Sequence, residues 1–192
     1  MAYGKLGDIA LLLGQKEEAR FYFLKDLSIT EVLAQAQPSI PDLQRNLAVS
    51  CERLGNLSQS LGEYELAKTY FRRSLPIRER LVEDEPDRSD LKRELSAVYS
   101  EIGDVARGAG QDEEAQDFYL KDLTIAEFLS QAEPNRADLQ RDLAVTYYKL
   151  NDFPRALAIL EALKKDGRML PTDEPWLAKL RNLVQNSKSA TA

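Results

Sequence analysis

Apolar positions in this chain recur at steps of three and four. In one stretch they fall at Leu43, Leu47, Cys51, Leu54 and Leu61, with Ser58 in the same series. That spacing lays one stripe along one face of a helix. Gly62 follows, a residue that ends a helix in the left-handed conformation without a Cβ penalty. A second helix is predicted from Glu63, with Ala67, Tyr70, Phe71, Leu75 and Leu81 on one side. The Glu85-Pro86 step stops it, because a residue before proline disfavours helical backbone. Ser39, Asp87 or Ser89, and Asn135 precede Asp42, Asp90 and Asp138 and are predicted to cap the next helices. Pro76 lies inside the second helix and predicts a kink near Arg72–Pro76. Sustained period-two alternation is missing, so the pattern predicts an all-α chain.

The pattern returns along the sequence. Gly7, Gly55 and Gly103 are 48 residues apart, as are Gly14, Gly62 and Gly110, and Pro38, Pro86 and Pro134. Ala19, Ala67 and Ala115 follow the same step. At twice that distance the match is closer: the segment LKDL from Leu24 recurs from Leu120. Each unit reads as a hairpin of two helices, a first and a second. The units fall at about 2–38, 39–86, 87–134 and 135–165, giving an array over 1–165. In the shorter last unit, Leu143, Ala144 and Tyr147 mark the first helix and Ala156 and Leu160 the second. Asn151 replaces the turn glycine, and Asn is the next-best left-handed residue. Residues 166–186 read as a linker and a capping helix with Trp176, Leu177, Leu180, Leu183 and Val184 on its apolar face. Residues 187–192 read as a tail that frays. At the other end, Tyr3, Leu6, Ile9, Leu12 and Leu13 await burial. Three arrangements stay open: a short self-sufficient first helix, an excerpt of a longer array, or a second copy covering the edge.

These markers resemble tetratricopeptide repeats, whose pattern runs W-x2-L-G-x2-Y, then A-x3-F, then P. Leu54-Gly55 matches Leu-Gly, and Ala67 with Phe71 matches A-x3-F. Cys51 stands where Trp is expected and Ser58 where Tyr is. Tyr99, Ile102-Gly103, Ala115 and Tyr119 fill the same places, as do Tyr3, Leu6-Gly7, Ala19 and Phe23. The period exceeds the usual one of about 34 residues by two heptads. Added heptads keep the stripe on one face, because seven residues make about two turns. The resemblance implies a right-handed superhelical solenoid of antiparallel hairpins closed by the C-terminal helix. Long-helix arrays of this kind resemble those of bacterial signalling proteins.

Composition narrows the chemistry. The 192 residues carry a net charge of -6, no His and one Cys. Histidine-based acid–base catalysis, Cys/His zinc sites and an internal disulfide are excluded. The acid excess and the absence of a basic cluster disfavour nucleic acid and anionic membrane. No apolar run reaches the roughly 18 residues of a membrane span. Lys5 and Asp8 interrupt any leader-like core, so the expected compartment is the cytosol. Cys51 lies on the apolar stripe and reads as core. The acidic groups Glu17-Glu18, Glu83-Asp84-Glu85 and Glu113-Glu114 read as solvated charge at helix ends. The chain is therefore expected to be non-enzymatic, without catalytic residues, metal or cofactor.

The remaining candidate is the inner face of the first helices, which in tetratricopeptide arrays lines a concave groove. The resemblance assigns Arg45, Glu52, Asn56 and Gln59 to it on the second unit. The third contributes Arg93, Ser100, Asp104 and Arg107, and the last Arg141 and Tyr148. Arginine forks suit carboxylates of a protein or peptide partner. Arg45, Arg93 and Arg141 also stand three residues after Asp42, Asp90 and Asp138, a spacing that permits pairing on the same helix. Binding and internal pairing both stay open. Repeats that clamp the acidic tails of chaperones use Lys and Asn on first helices; here Gly4, Glu52 and Ser100, with Asp8, Asn56 and Asp104, offer only Asn56. Rival expectations are a regulatory or self-assembly segment of a larger bacterial signalling protein, whose partner is intramolecular or a second copy at the N-terminal edge.

Overall fold

The computed structural model describes residues 2–189. Among them are nine α-helices and no strand: α1 (Ala2–Leu12), α2 (Lys16–Ala36), α3 (Pro41–Ser60), α4 (Tyr64–Asp84), α5 (Ser89–Gly108), α6 (Asp112–Ala132), α7 (Ala137–Lys149), α8 (Phe153–Lys165) and α9 (Glu174–Ser189). Of the expected tail at 187–192, the first part is helical, because α9 continues to Ser189. Residues 190–192, with Met1, lie outside the described residues. The helices gather into two compact units, residues 1–118 and 119–192, with α6 beginning in the first and ending in the second.

In the first unit the turn glycines act as expected. Gly62 has φ of 76°, and the N–H of Glu63 reaches back to the carbonyl of Ser58, closing α3 before α4 starts. The core forms where aromatic residues of second helices meet small residues of first helices. Ala10, Ala19, Phe23, Leu27, Cys51, Leu54 and Leu57 make one cluster. Ala67, Phe71, Val98, Ile102 and Val105 make another. Gly55 has no Cβ because Phe71 lies against it: a Cβ there would sit 2.8 Å from the ring.

The predicted caps are corrected. α3 and α5 begin after Ile40 and Arg88, and neither has a side-chain cap; the same holds for Arg136 before α7. Where an oxygen cap was expected, an arginine folds onto acidic neighbours. Arg88 bonds both oxygens of Asp90 at 2.7 Å and reaches Glu85 at 3.0 Å. Its guanidinium pulls the Asp90 carboxyl down to about 2. Arg136 repeats this with Asp138 and Glu133. A capping hydroxyl is unnecessary when α3 starts at Pro41, whose missing N–H needs no partner. α4 is one helix through Pro76, whose ring is exposed.

A buried carboxylate ties the first three helices together. Asp26 on α2 accepts from the backbone N–H of Gly4 at 3.0 Å and from Ser50 Oγ at 2.8 Å. Thr30 Oγ1 joins Ser50 at 3.2 Å. These bonds satisfy a charge that burial would otherwise penalise.

In the second unit Asn151 takes φ of 61° in place of glycine, and Asp152 caps α8 by accepting from Arg155 N. Thr146 Oγ1 donates to buried Asp122 at 2.9 Å, as Ser50 does to Asp26. Leu143, Ala144, Tyr147, Ala156, Leu160 and Leu163 pack with Leu177 and Leu180 of α9, and Trp176 joins at the margin. The first unit's core thus recurs here with α9 laid against α8.

Candidate functional site: a paired face on α3 and α5

The inner-face residues of the first unit are joined to one another rather than standing alone. The Arg45 fork on α3 grips Glu94 of α5 and reaches Asp90 at 3.5 Å. The expected same-helix pairing with Asp42 is replaced by this contact between helices. Asn56 Nδ2 donates to Glu101 of α5 at 3.1 Å. One step earlier, Arg53 of α3 donates to Asp8 of α1 at 2.9 Å and 3.2 Å. From Asp8–Arg53 to Asn56–Glu101, 48 positions on, donor and acceptor change places.

Glu52, expected on the groove face, is half-buried and held by an ion pair. Its two oxygens accept from Arg78 of α4, each at 2.8 Å. Arg78 is 2% exposed and also donates to Glu94. A chain of alternating charge therefore runs Glu52, Arg78, Glu94, Arg45. The sequence reading missed Arg78 and Glu94. One signal marked Arg78: it follows Phe71 and Ser74 at helical steps on the buried side of α4 and precedes Leu81. A charge on an apolar stripe demands a partner.

Gln59 is half-buried, and Arg107 is exposed near the end of α5. Arg93, Ser100 and Asp104 are half-buried on the same helix, each engaged in interactions of its own. In the second unit, Arg141 holds the buried carboxylate of Asp173 at 2.5 Å. Tyr148 packs edge-on against Trp176, and its hydroxyl accepts from Lys179 at 2.6 Å. Both therefore support the α9 end of their unit.

Cys51 is buried, and burial pushes its thiol up to about 11. In its register Tyr99 and Tyr147 donate to Glu79 at 2.8 Å and Glu127 at 2.5 Å. Burial and the carboxylate raise the Tyr147 phenol to about 12. Where Cys51 replaces tyrosine, Glu31 pairs with Arg73 instead. Among the described residues no cluster of three or more acidic or thiol side chains is arranged for a metal. No described helix is long and apolar enough to cross a membrane. The arrangement offers polar contact along a prebuilt helix face.

Comparison with known proteins agrees with this architecture. Two family profiles, each described as Tetratricopeptide repeat, match residues 2–31 and 47–87. No curated protein matches the chain by sequence. Among solved structures, BtubC (BKLC) from P. vanneervenii superposes with a TM-score of 0.62 at 18% identity, over 97% of this chain and 73% of that one. A putative kinesin light chain of nearly identical TPR-like repeats from Podosopora anserina gives 0.61 at 19%, over 99% and 89%. TTC0263, a thermophilic TPR protein of Thermus thermophilus, gives 0.54 at 22%, over 93% and 79%. With hairpins, glycine–aromatic packing and sequence markers in agreement, residues 2–31 and 47–87 carry tetratricopeptide repeats, and the chain has the fold of a tetratricopeptide-like helical array.

Proposed function

We propose that the chain is a non-catalytic, cytosolic scaffold that docks a protein or peptide segment on the inner face of α3 and α5. The observation that carries this reading is the bridging of these two helices by Arg45 with Glu94 and by Asn56 with Glu101. Side chains held in place before binding lose less entropy on binding. The proposed contact set on this unit is Arg45, Asn56, Gln59, Arg93, Ser100, Asp104 and Arg107. Its outer oxygens and guanidinium forks suit a mixed-charge segment. Glu52 acts beneath the face, by fixing Arg78. Arg141 and Tyr148 serve the second unit's own α9 contacts in this reading.

A photo-crosslinking residue placed at Gln59 or at exposed Ala97 tests it. Crosslinks in source-cell lysate are expected from these positions and not from Thr69, exposed on α4. Crosslinks from Thr69 alone would overturn the assignment. An Arg107→Glu exchange at an exposed site leaves the core intact and is expected to weaken capture.

A second reading is self-assembly at the N-terminal edge, and the exposure of that edge favours it. Leu6, Ile9 and Leu33 are 41%, 53% and 45% exposed, whereas Leu54, Leu57 and Leu81, 48 positions later, are 2%, 2% and 5%. Inside the unit a neighbouring hairpin covers such side chains; a second copy would cover them here. Sedimentation is expected to show a concentration-dependent dimer that Ile9→Glu with Leu12→Glu abolishes. A monomer throughout would sink this reading and leave a partner elsewhere, including another segment of a longer signalling chain.

A further inference from the structure

The chain builds a similar cleft in each unit, and at the edge of the second an arginine of the chain itself bridges two acceptors. In the first unit a cleft of about 300 Å³ lies beside the α2–α3 loop, between Pro38, Gln44, Ile77, Arg80, Leu81 and Asp84, with Pro76 at its edge. In the second unit a cleft of about 330 Å³ lies between Pro134, Gln140, Ala158, Ile159, Leu163 and Arg168. Pro38 and Gln44 stand 96 positions before Pro134 and Gln140. Gln44 Nε2 donates to the carbonyl of Ala34 at 3.1 Å, and Gln140 Nε2 to that of Ser130 at 3.0 Å, again 96 positions on. The α7–α8 hairpin is shorter by two heptads, one in each helix, so residues towards the end of the second helix correspond at 82 positions. Pro76, Ile77, Leu81 and Asp84 match Ala158, Ile159, Leu163 and Asp166.

The second cleft shows what fits. Gly167, with φ of 68°, turns the chain after α8 and brings Arg168 back over the loop. Its guanidinium donates to the Pro134 carbonyl at 3.2 Å and to Asp166 at 2.8 Å. In the first cleft the matching groups are the Pro38 carbonyl and the Asp84 carboxylate, and Pro86 stands where Arg168 would be. The Pro38 carbonyl receives Gln44 at a long 3.4 Å. Asp84 meets Arg80 of its own helix at 3.6 Å, with both side chains largely in water, a weak contact that a better partner displaces.

We propose that the first-unit cleft is a docking site for an arginine side chain of a partner peptide. The guanidinium spans the Pro38 carbonyl and Asp84 as Arg168 spans Pro134 and Asp166. Guanidinium has five donors and no acceptor. Pro38, Pro41 and Pro76 bring no N–H to the walls, so what they offer is carbonyl and apolar surface. Ile77 and Leu81 take the aliphatic stem. The acidic run Glu83-Asp84-Glu85 adds charge of the right sign. Arginine is preferred to lysine because the site asks for a fork reaching two acceptors. The site lies beside a loop between hairpins and stands independently of the α3–α5 face.

The test uses the full chain, labelled with 15N, and the peptide acetyl-Gly-Arg-Met-Leu-amide, which copies residues 167–170. Saturable amide shifts are expected at Gln44, Ile77, Leu81 and Asp84. Asp84→Asn, an exposed exchange whose fold circular dichroism checks, is expected to weaken binding about tenfold. A citrulline peptide, equal in shape but uncharged, is expected not to bind. Gln140 and Ile159 are expected to stay unshifted until Arg168→Ala frees the Pro134 carbonyl and Asp166, whereupon they respond too. No saturable shift at the first cleft, equal binding of the citrulline peptide, or an unchanged affinity for Asp84→Asn would each overturn the proposal. Shifts confined to Asn56, Gln59 and Arg107 would also overturn it, while supporting the helix face as the docking surface.

Discussion

Arg78→Ala is expected to destabilise the first unit by about 3–5 kcal/mol. The side chain is almost wholly buried, and two carboxylates depend on it. Glu52 receives both of its bonds from Arg78, and Glu94 accepts from Arg45 on both oxygens and from Arg78 on one of them. Removing the guanidinium strands Glu52 at a side-chain exposure of 16%. Water reaches that carboxylate poorly, so its charge stays uncompensated. Deleting one partner of a buried pair is costly for this reason, although the intact pair adds little over apolar packing. The expected signature is a lower urea midpoint with the slope preserved. Glu52→Gln in the Arg78→Ala background removes the stranded charge and is expected to recover part of the loss. A loss under about 1 kcal/mol, the range of exposed pairs, would show that the network is solvated and contributes little.

That network also marks where sequence reading stops. Hairpins and turn glycines were legible, because each depends on neighbours three, four or seven positions away, whereas the packing of Phe71 on Gly55 joins residues of two different helices. Gly62 needed only its place after a periodic helix, and Asn151 only its alignment with Gly62. The paired face was harder. Arg45 could meet Asp42 on its own helix or Glu94 on the next, and local spacing favours the first. The choice falls to Glu94 because stacking brings α5 beside α3, a fact of tertiary register. Asp26 was hidden similarly: its partners Gly4 and Ser50 lie 22 and 24 residues away. The caps failed for a different reason. The candidate oxygens miss by one position: Ser39, Asp87 and Asn135 stand one residue before the N-caps Ile40, Arg88 and Arg136, and Ser89 one residue after, an offset that periodicity does not resolve.

The contact between Gly55 and Phe71 is expected to set the other large effect, and its sign can be reversed. Phe71 is 0% exposed, and Phe71→Ala is expected to cost about 3–5 kcal/mol through lost burial and an unfilled cavity. Gly55→Ala acts on the same contact from the opposite side. In an open helix that exchange stabilises by about 0.5–1 kcal/mol, since glycine loses more backbone freedom on folding. Here the new Cβ falls 2.8 Å from two carbons of the Phe71 ring. The ring is walled in by Ala67, Val98, Ile102 and Val105, so it cannot swing aside. Overpacking of this kind costs about 1–3 kcal/mol, which exceeds the helix gain, and the net change is expected to be destabilising. Phe71→Leu shortens the opposing side chain and frees the space. In that background Gly55→Ala is expected to become neutral or stabilising, because only the backbone term remains. The two single variants and the double variant form a cycle whose coupling is read from urea midpoints. A coupling near zero would mean that Gly55 serves the backbone alone. A favourable coupling of about 1–2 kcal/mol would show that glycine is held there by the ring of the following helix.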